Sequence, residues 1–420
     1  MAIDSFAWYF LIMGIFIAEA SLLVNFLPSK IIFVTVSYHS DRLATLDGLR
    51  GILALSVFVH HCLLFRAAAL TGKWESLTSN FYAQIGVMPV TMFFFITGYL
   101  FWSKLIRRRT LPFGRFVLDR LTRLGCAYWV ACLIFFLLTA ISSKFQLHVT
   151  LPTLIRQVFS WGSFFGAGHD MNGLANSRFL FGQVWTLRLE WCFYMSLPLL
   201  GWFARRRFRL LLLLACATVL SIIFKNLSDF GSVSILLLFV AGFLQFLTLA
   251  FGVGMLVAII PTSGKFLTMA RSPYAAVMSL LMIASVLIFT PASYGPQESA
   301  CLALPFLCIC LGNTWFGLLI SAPIQLLGRI SYSFYLLHAF ALQIGLLLLQ
   351  KIVKVASLST YAYWSFAGIC GVSAVAVSCL SWYLFELPFL HSKVRTNDPS
   401  PTISCLESSL KPGTFEQATE

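Results

Sequence analysis

Apolar runs of about 20 residues recur along the whole chain, and this recurrence limits the fold more than any single motif does. A helix rises about 1.5 Å per residue, so such a run crosses the roughly 30 Å hydrocarbon core of a bilayer with every backbone polar group paired internally. A β-barrel would instead show short alternating segments of about ten residues. Charged residues are 10% of the chain, against about 25% in a soluble domain. The chain therefore reads as all-α, a polytopic membrane helical bundle. Core spans are expected at about 46–65, 85–103, 118–141, 184–203, 208–225, 232–260, 274–292, 300–320, 330–350 and 363–387. The 232–260 span is long for one crossing, and Gly252 and Gly254 are expected to break or tilt it. One extra N-terminal segment at about 6–27 carries a single acid, Glu19. The chain starts Met-Ala-Ile-Asp without a basic n-region, so this segment reads as a retained helix rather than a leader.

The formal net charge is +14. The basic residues sit in short inter-helix loops rather than in one soluble patch, which points to positive-inside sorting and away from nucleic acid. The loop holding Lys104, Arg107, Arg108, Arg109, Arg115, Arg120 and Arg123 marks the cytoplasmic side. Lys30, Arg42, Arg50, Arg205, Arg206, Arg207, Arg209, Lys265, Arg271, Arg329, Lys393, Arg395 and Lys411 gather there too, whereas Lys351 and Lys354 fall outside. The N-terminus is then external, a longer polar connection runs over about 142–182, and a Ser-, Thr-, Pro- and Glu-rich tail from 396 is cytosolic and disordered. The implied divisions are 1–45, 46–395 and 396–420. Ten of the 11 cysteines lie in or beside apolar segments and only Cys405 lies in the tail, so they read as small buried hydrophobes with no disulfide framework and no metal site.

Four constellations could carry chemistry. Arg50 and His61 are eleven positions apart, or three helical turns plus about 20°, and so share a face with an axial separation of about 16 Å. His60 lies about 100° off that face. An imidazole near mid-bilayer is a functional candidate by default, the bland alternative being a helix–helix hydrogen bond. Arg120 and Arg123, three apart, point the same way at the cytoplasmic mouth, suited either to phosphate or to simple anchoring. Thr186, Glu190 and Tyr194 form one polar stripe, and Ser331, Tyr335 and His338 form another. Glu190 is read as the only carboxylate deep in a span apart from Glu19. Arg188 faces elsewhere, so the partner that Glu190 needs is expected on another helix.

The residues quoted in order along 46–390 resemble the acyltransferase 3 family of membrane acyltransferases. Arg50 and His61 match its Arg/Lys, ten residues, His pattern. Arg120, Arg123 and Tyr128 resemble its Arg-x-x-Arg motif, with Cys126 where the family carries Pro. Trp185-Thr186-Leu187-Arg188-Leu189-Glu190-Trp191-Cys192-Phe193-Tyr194 is similar to Trp-Ser-Leu-x-x-Glu-x-x-Phe-Tyr, with Trp191 in place of a second Glu found in many members. Phe93-Phe94-Phe95-Ile96-Thr97-Gly98-Tyr99-Leu100 resembles an aromatic run ending in Ser-Gly-Phe-Leu, where Gly98 permits close helix approach. Leu327-Gly328-Arg329-Ile330-Ser331-Tyr332-Ser333-Phe334-Tyr335-Leu336-Leu337-His338 and Glu386-Leu387-Pro388-Phe389 complete the set, Glu386 reading as a structural partner of a loop arginine.

The resemblance implies an O-acyltransferase, most often an O-acetyltransferase, that transfers groups other than amino-acyl groups from cytosolic acyl-CoA to a hydroxyl of a glycan or lipid-linked sugar. The roles it implies are His61, Glu190 and Arg50 in catalysis, and Arg120, Arg123 and Tyr128 in binding acyl-CoA. Tyr194, Ser331, Tyr335 and His338 are implied in substrate binding or structure. The family's usual setting implies a bacterial inner membrane and polysaccharide modification. A transporter or flippase of an acylated or lipid-linked substrate is the competing reading, since intramembrane Arg, His and Glu also suit a proton-coupled carrier.

Overall fold

The computed structural model describes residues 2–26, 41–74, 77–107, 112–165, 168–203, 207–229, 235–260 and 264–388. Lys30, Arg108, Arg109, Arg205, Arg206, Lys393, Arg395, Lys411 and the tail from 396 lie outside the described residues. In chain order the helices are α1 (Phe6–Phe26), α2 (Asp41–Thr71), α3 (Asn80–Arg107), α4 (Phe113–Ser142), α5 (Leu151–Gly162), α6 (Trp185–Phe203) and α7 (Arg207–Asp229). Then come α8 (Ile235–Phe246, continued through Leu247–Phe251 to Gly252–Ala258), α9 (Lys265–Ala270), α10 (Pro273–Phe289), α11 (Pro296–Cys310), α12 (Ala322–Leu349) and α13 (Thr360–Ser381, continued by Trp382–Glu386). No strand occurs among the described residues. Helices α1, α2, α3, α4, α8, α12 and α13 are long and apolar enough to cross a bilayer, and α7, α10 and α11 add shorter apolar helices. The chain is an all-α integral membrane protein.

Three local features depart from or sharpen the hydropathy reading. The 300–320 span is a helix only as far as Cys310. Beyond it the backbone turns at Gly312 (φ +99°) and Gly317 (φ +88°), conformations that suit residues without a Cβ. Asn313 fixes that turn by donating to the Ala270 carbonyl at 2.9 Å. Leu318, Leu319 and Ile320, apolar enough to extend a span on paper, form a short 3-10 turn. In α8 a π turn at Leu247–Phe251 immediately precedes Gly252, where a break or tilt was expected.

The polar 142–182 connection contains an unanticipated helix, α5. Its 12 residues span about 18 Å, too short for a crossing. Leu151, Ile155 and Phe159 form an exposed apolar row while Trp161 is buried. Asn172 ties the connection together: its amide donates to the Gln146 carbonyl at 2.8 Å, and its backbone N–H donates to the Gln157 side chain at 3.0 Å. In the same loop, partial burial beside Trp161 lowers the His169 imidazole below its ordinary range, with Asp170 opposing the shift.

Two glycine crossings set the core. A Cβ on Gly328 would lie 1.9 Å from the Asp47 carbonyl oxygen, and one on Gly51 would lie 2.8 Å from the Gly328 nitrogen, so α2 and α12 touch backbone to backbone. Likewise a Cβ on Gly98 would meet the Phe251 carbonyl at 2.2 Å, and one on Gly254 would meet the Phe95 carbonyl at 2.1 Å, which locks α3 to α8. Between lipid-facing helices this backbone proximity substitutes for the hydrophobic drive that hydrocarbon cannot supply.

Candidate active site

A cavity of about 830 Å³ lies at the basic end of the bundle. Its wall combines the start of α2, the last turns of α3, the start of α4, the polar face of α6, the first half of α12 and the end of α13. Among the described residues, six basic side chains line it, Arg50, Lys104, Arg120, Arg123, Arg271 and Arg329, against the carboxyls of Asp47, Glu190 and Glu386. Arg50 is paired with Asp47 at 3.3 Å, one turn earlier on α2. Arg120 lies over the rings of Phe101 and Phe116, 4.9 and 5.8 Å from their centroids, and its Nε has no hydrogen-bond partner among the described residues. Arg271 donates to the Leu311 carbonyl at 2.8 Å. Such a set of guanidinium groups around one concave space suits an anion bearing several phosphates.

The carboxyls are held by hydroxyls. Thr97 of α3 donates to Glu190 Oε1 at 2.6 Å, which supplies the expected partner from another helix, with the Tyr194 hydroxyl also beside that carboxyl. Ser333 donates to Glu386 Oε1 at 2.6 Å, with Arg123 within electrostatic reach. Thr186, Glu190 and Tyr194 all line the cavity, and so do Ser331 and Tyr335.

His61 and His338 lie outside that lining and meet each other instead. His61 Nδ1 is 3.1 Å from His338 Nε2. The crossing at Gly51 and Gly328 accounts for this. His61 is ten residues beyond Gly51 and His338 is ten beyond Gly328, so two helices running the same way carry them to one level. The hydrogen bonds also assign the protons. His338 Nδ1 lies 3.0 Å from the Phe334 carbonyl, which can only accept, so Nδ1 carries the hydrogen and Nε2 accepts. His61 Nδ1 then donates, shared between His338 Nε2 and the Val57 carbonyl at 3.0 Å, and the neutral ring keeps the lone pair on Nε2. His338 is fully buried and His61 partly open. His60 turns away to the Tyr82 carbonyl.

A thin layer separates cavity from imidazoles. The Tyr335 hydroxyl donates to the Gln183 carbonyl at 2.8 Å and lies 2.9 Å from the Thr186 hydroxyl. Its ring faces Phe93 on one side and His338 on the other, with centroid separations of 6.3 and 6.1 Å. The rise from Tyr335 to His338 is about 4.5 Å. Tyr128 lies away from the cavity lining: its hydroxyl donates to the Trp161 carbonyl, and its ring stacks on Phe164 at 4.1 Å.

Sequence reasoning passed over Asp47, Thr97, Arg271 and Arg329 as cavity residues. Arg329 had a signal in its place beside Gly328 and Ser331. Arg271 had none, because it reaches the cavity from a loop distant in sequence. Among the described residues no group of three or more His, Cys, Asp or Glu side chains is placed to hold a metal ion.

A membrane helical bundle with this site is matched by one family model, described as an acyltransferase domain, over residues 43–383. The chain belongs to the acyltransferase 3 family and is an acyltransferase that is not an amino-acyl transferase. The match begins in α2, so α1 precedes it. No curated protein and no solved structure matches the chain.

Proposed function

We propose that the protein is an O-acetyltransferase of a bacterial inner membrane, taking the acyl group from cytosolic acetyl-CoA and placing it on a hydroxyl of a glycan or lipid-linked saccharide. The observation that carries this reading is the position of the six-cation cavity, whose inner end at Tyr335 lies one helical turn short of the His61–His338 pair. Arg120 and Arg123, with Arg50, Arg271 and Arg329 around them, hold the donor's phosphates, and its thioester arm points inward along α12. Positive-inside bias supports a cytosolic cavity and a cytosolic C-terminus.

In the reaction, His61 Nε2 removes the acceptor hydroxyl proton as the oxygen attacks the thioester carbonyl. The carbon–sulfur bond breaks, and the imidazolium returns the proton to the departing thiolate. His338 keeps the His61 proton on Nδ1. The thioester reaches this base when the Tyr335 hydroxyl leaves Gln183 and Thr186. Glu190, bonded to Thr97, and Tyr194 shape the passage; Tyr128 braces the outer loop.

The test supplies radiolabelled acetyl-CoA to the full chain in lipid vesicles together with saccharide. Label on the saccharide and stoichiometric free thiol are expected. Thiol-free, label-free saccharide would sink the reading and favour a carrier.

A further inference from the structure

Among the described residues, two fully buried polar side chains in the outer half of the bundle form no hydrogen bond. Glu298, in the first turn of α11, is fully buried, and neither carboxyl oxygen has a hydrogen-bond partner. Gln84 of α3 is also fully buried, and neither its Nε2 nor its Oε1 is bonded. Placing α11 four residues deeper on paper hid Glu298 from the sequence reading. Unbonded amide and carboxyl groups in a membrane interior are costly, and a native structure keeps them where something else gains from them.

They belong to one wall. Asn80, Gln84 and Thr91 fall within about 40° on α3. Asn80 donates to the Thr290 carbonyl at 3.0 Å, which fixes that face toward the connection leading into α11. The Thr91 hydroxyl lies against the Glu298 carboxyl, while its hydrogen is directed to the Val87 carbonyl at 3.4 Å. Near Glu298, Trp185, Phe246 and Tyr294 form a triangle of half-buried rings with centroids 5.1 to 5.8 Å apart. The Tyr294 phenol lies within electrostatic reach of both Glu298 and Tyr335, so the wall ends at the same tyrosine that closes the donor cavity.

Aromatic faces beside an unspent carboxyl and an unspent amide match a ring with apolar C–H faces and several hydroxyls. We propose that this outer wall is the acceptor subsite for a saccharide ring, which stacks on Trp185 and Tyr294 and gives its hydroxyls to Glu298 and Gln84. The ring is thereby held beside Tyr335, the residue that also faces His338. This inference rests on the acyl-transfer reading and adds residues to it.

The experiment uses the full chain in lipid nanodiscs with radiolabelled acetyl-CoA, and glucose and N-acetylglucosamine as acceptor probes. Glu298→Met and Gln84→Leu should each raise the KM for sugar by about tenfold or more, the loss of a hydrogen bond to a charged or buried group. The KM for acetyl-CoA should stay within about twofold, because no phosphate contact changes. The thermal midpoint should hold or rise, because each variant removes an unpaired buried polar group. Glu298→Gln, which keeps the shape and part of the bonding, should fall between wild type and Glu298→Met in sugar KM.

A sugar KM unchanged in both apolar variants overturns the subsite. So does a rise of both KM values together with a fall in the thermal midpoint, or thiol release by wild type that neither sugar accelerates. A wild type that releases no thiol from acetyl-CoA under any condition refutes the acyl-transfer reading instead.

Discussion

Replacing His338 with Phe separates an orienting histidine from a reacting one. The substitution removes the 3.1 Å acceptor for His61 Nδ1–H but leaves the Val57 carbonyl at 3.0 Å. His61 therefore keeps its tautomer and loses one of two restraints on its ring. A net hydrogen bond is worth about 0.5–1.5 kcal/mol, which corresponds to a fall in kcat of roughly 2- to 12-fold. His61→Gln removes the base itself and should cost about 10²- to 10⁴-fold. The assay is label transfer from acetyl-CoA at saturating donor and acceptor, with His338→Gln as a second variant whose amide oxygen restores an acceptor and part of the rate. A His338→Phe loss as large as that of His61→Gln would mean that His338 exchanges the proton itself. No loss at all would mean that the bond between the rings orients nothing, and either result refutes the reasoning.

Arg120→Gln and Arg123→Gln should each raise the KM for acetyl-CoA by about tenfold with kcat changed little, an effect that shrinks as salt is added; flat KM values would leave these arginines as anchors. Tyr128→Phe should lower unfolding stability by about 1 kcal/mol, through the lost bond to the Trp161 carbonyl, and leave donor KM alone. A KM rise there would move Tyr128 into the donor site. Gly328→Val should destabilise by about 1–3 kcal/mol or more, since its Cβ would sit 1.9 Å from the Asp47 carbonyl oxygen. Gly14→Ala, with nothing within 4 Å of its added Cβ, is the neutral control in the same thermal unfolding series.

Helix positions were largely legible because membrane residence is a local property of composition over about 20 residues. It failed where apolar residues serve a turn, at Leu318–Ile320, and where a short amphipathic helix lies inside a polar stretch, at α5. The candidate site divides the same way. Thr186, Glu190 and Tyr194 could be placed on one face by spacing alone, and all three line the cavity. Glu190's partner could be placed on another helix but not identified, since Thr97 is 93 residues away.

By itself, then, the sequence determined that this chain lives in a bilayer and that Arg50 and His61 lie along one line of one helix. Each follows from periodicity and charge within a single segment. Only the tertiary structure decided that His61 meets His338 across 277 residues, that Arg271 and Arg329 join Arg120 and Arg123, and that Gln84 and Glu298 go unpaired. The reason is physical: lipid is as apolar as the helices it surrounds, so hydropathy is silent on which faces pair. That choice falls to backbone contacts such as Gly51 against Gly328, whose partners no local pattern names.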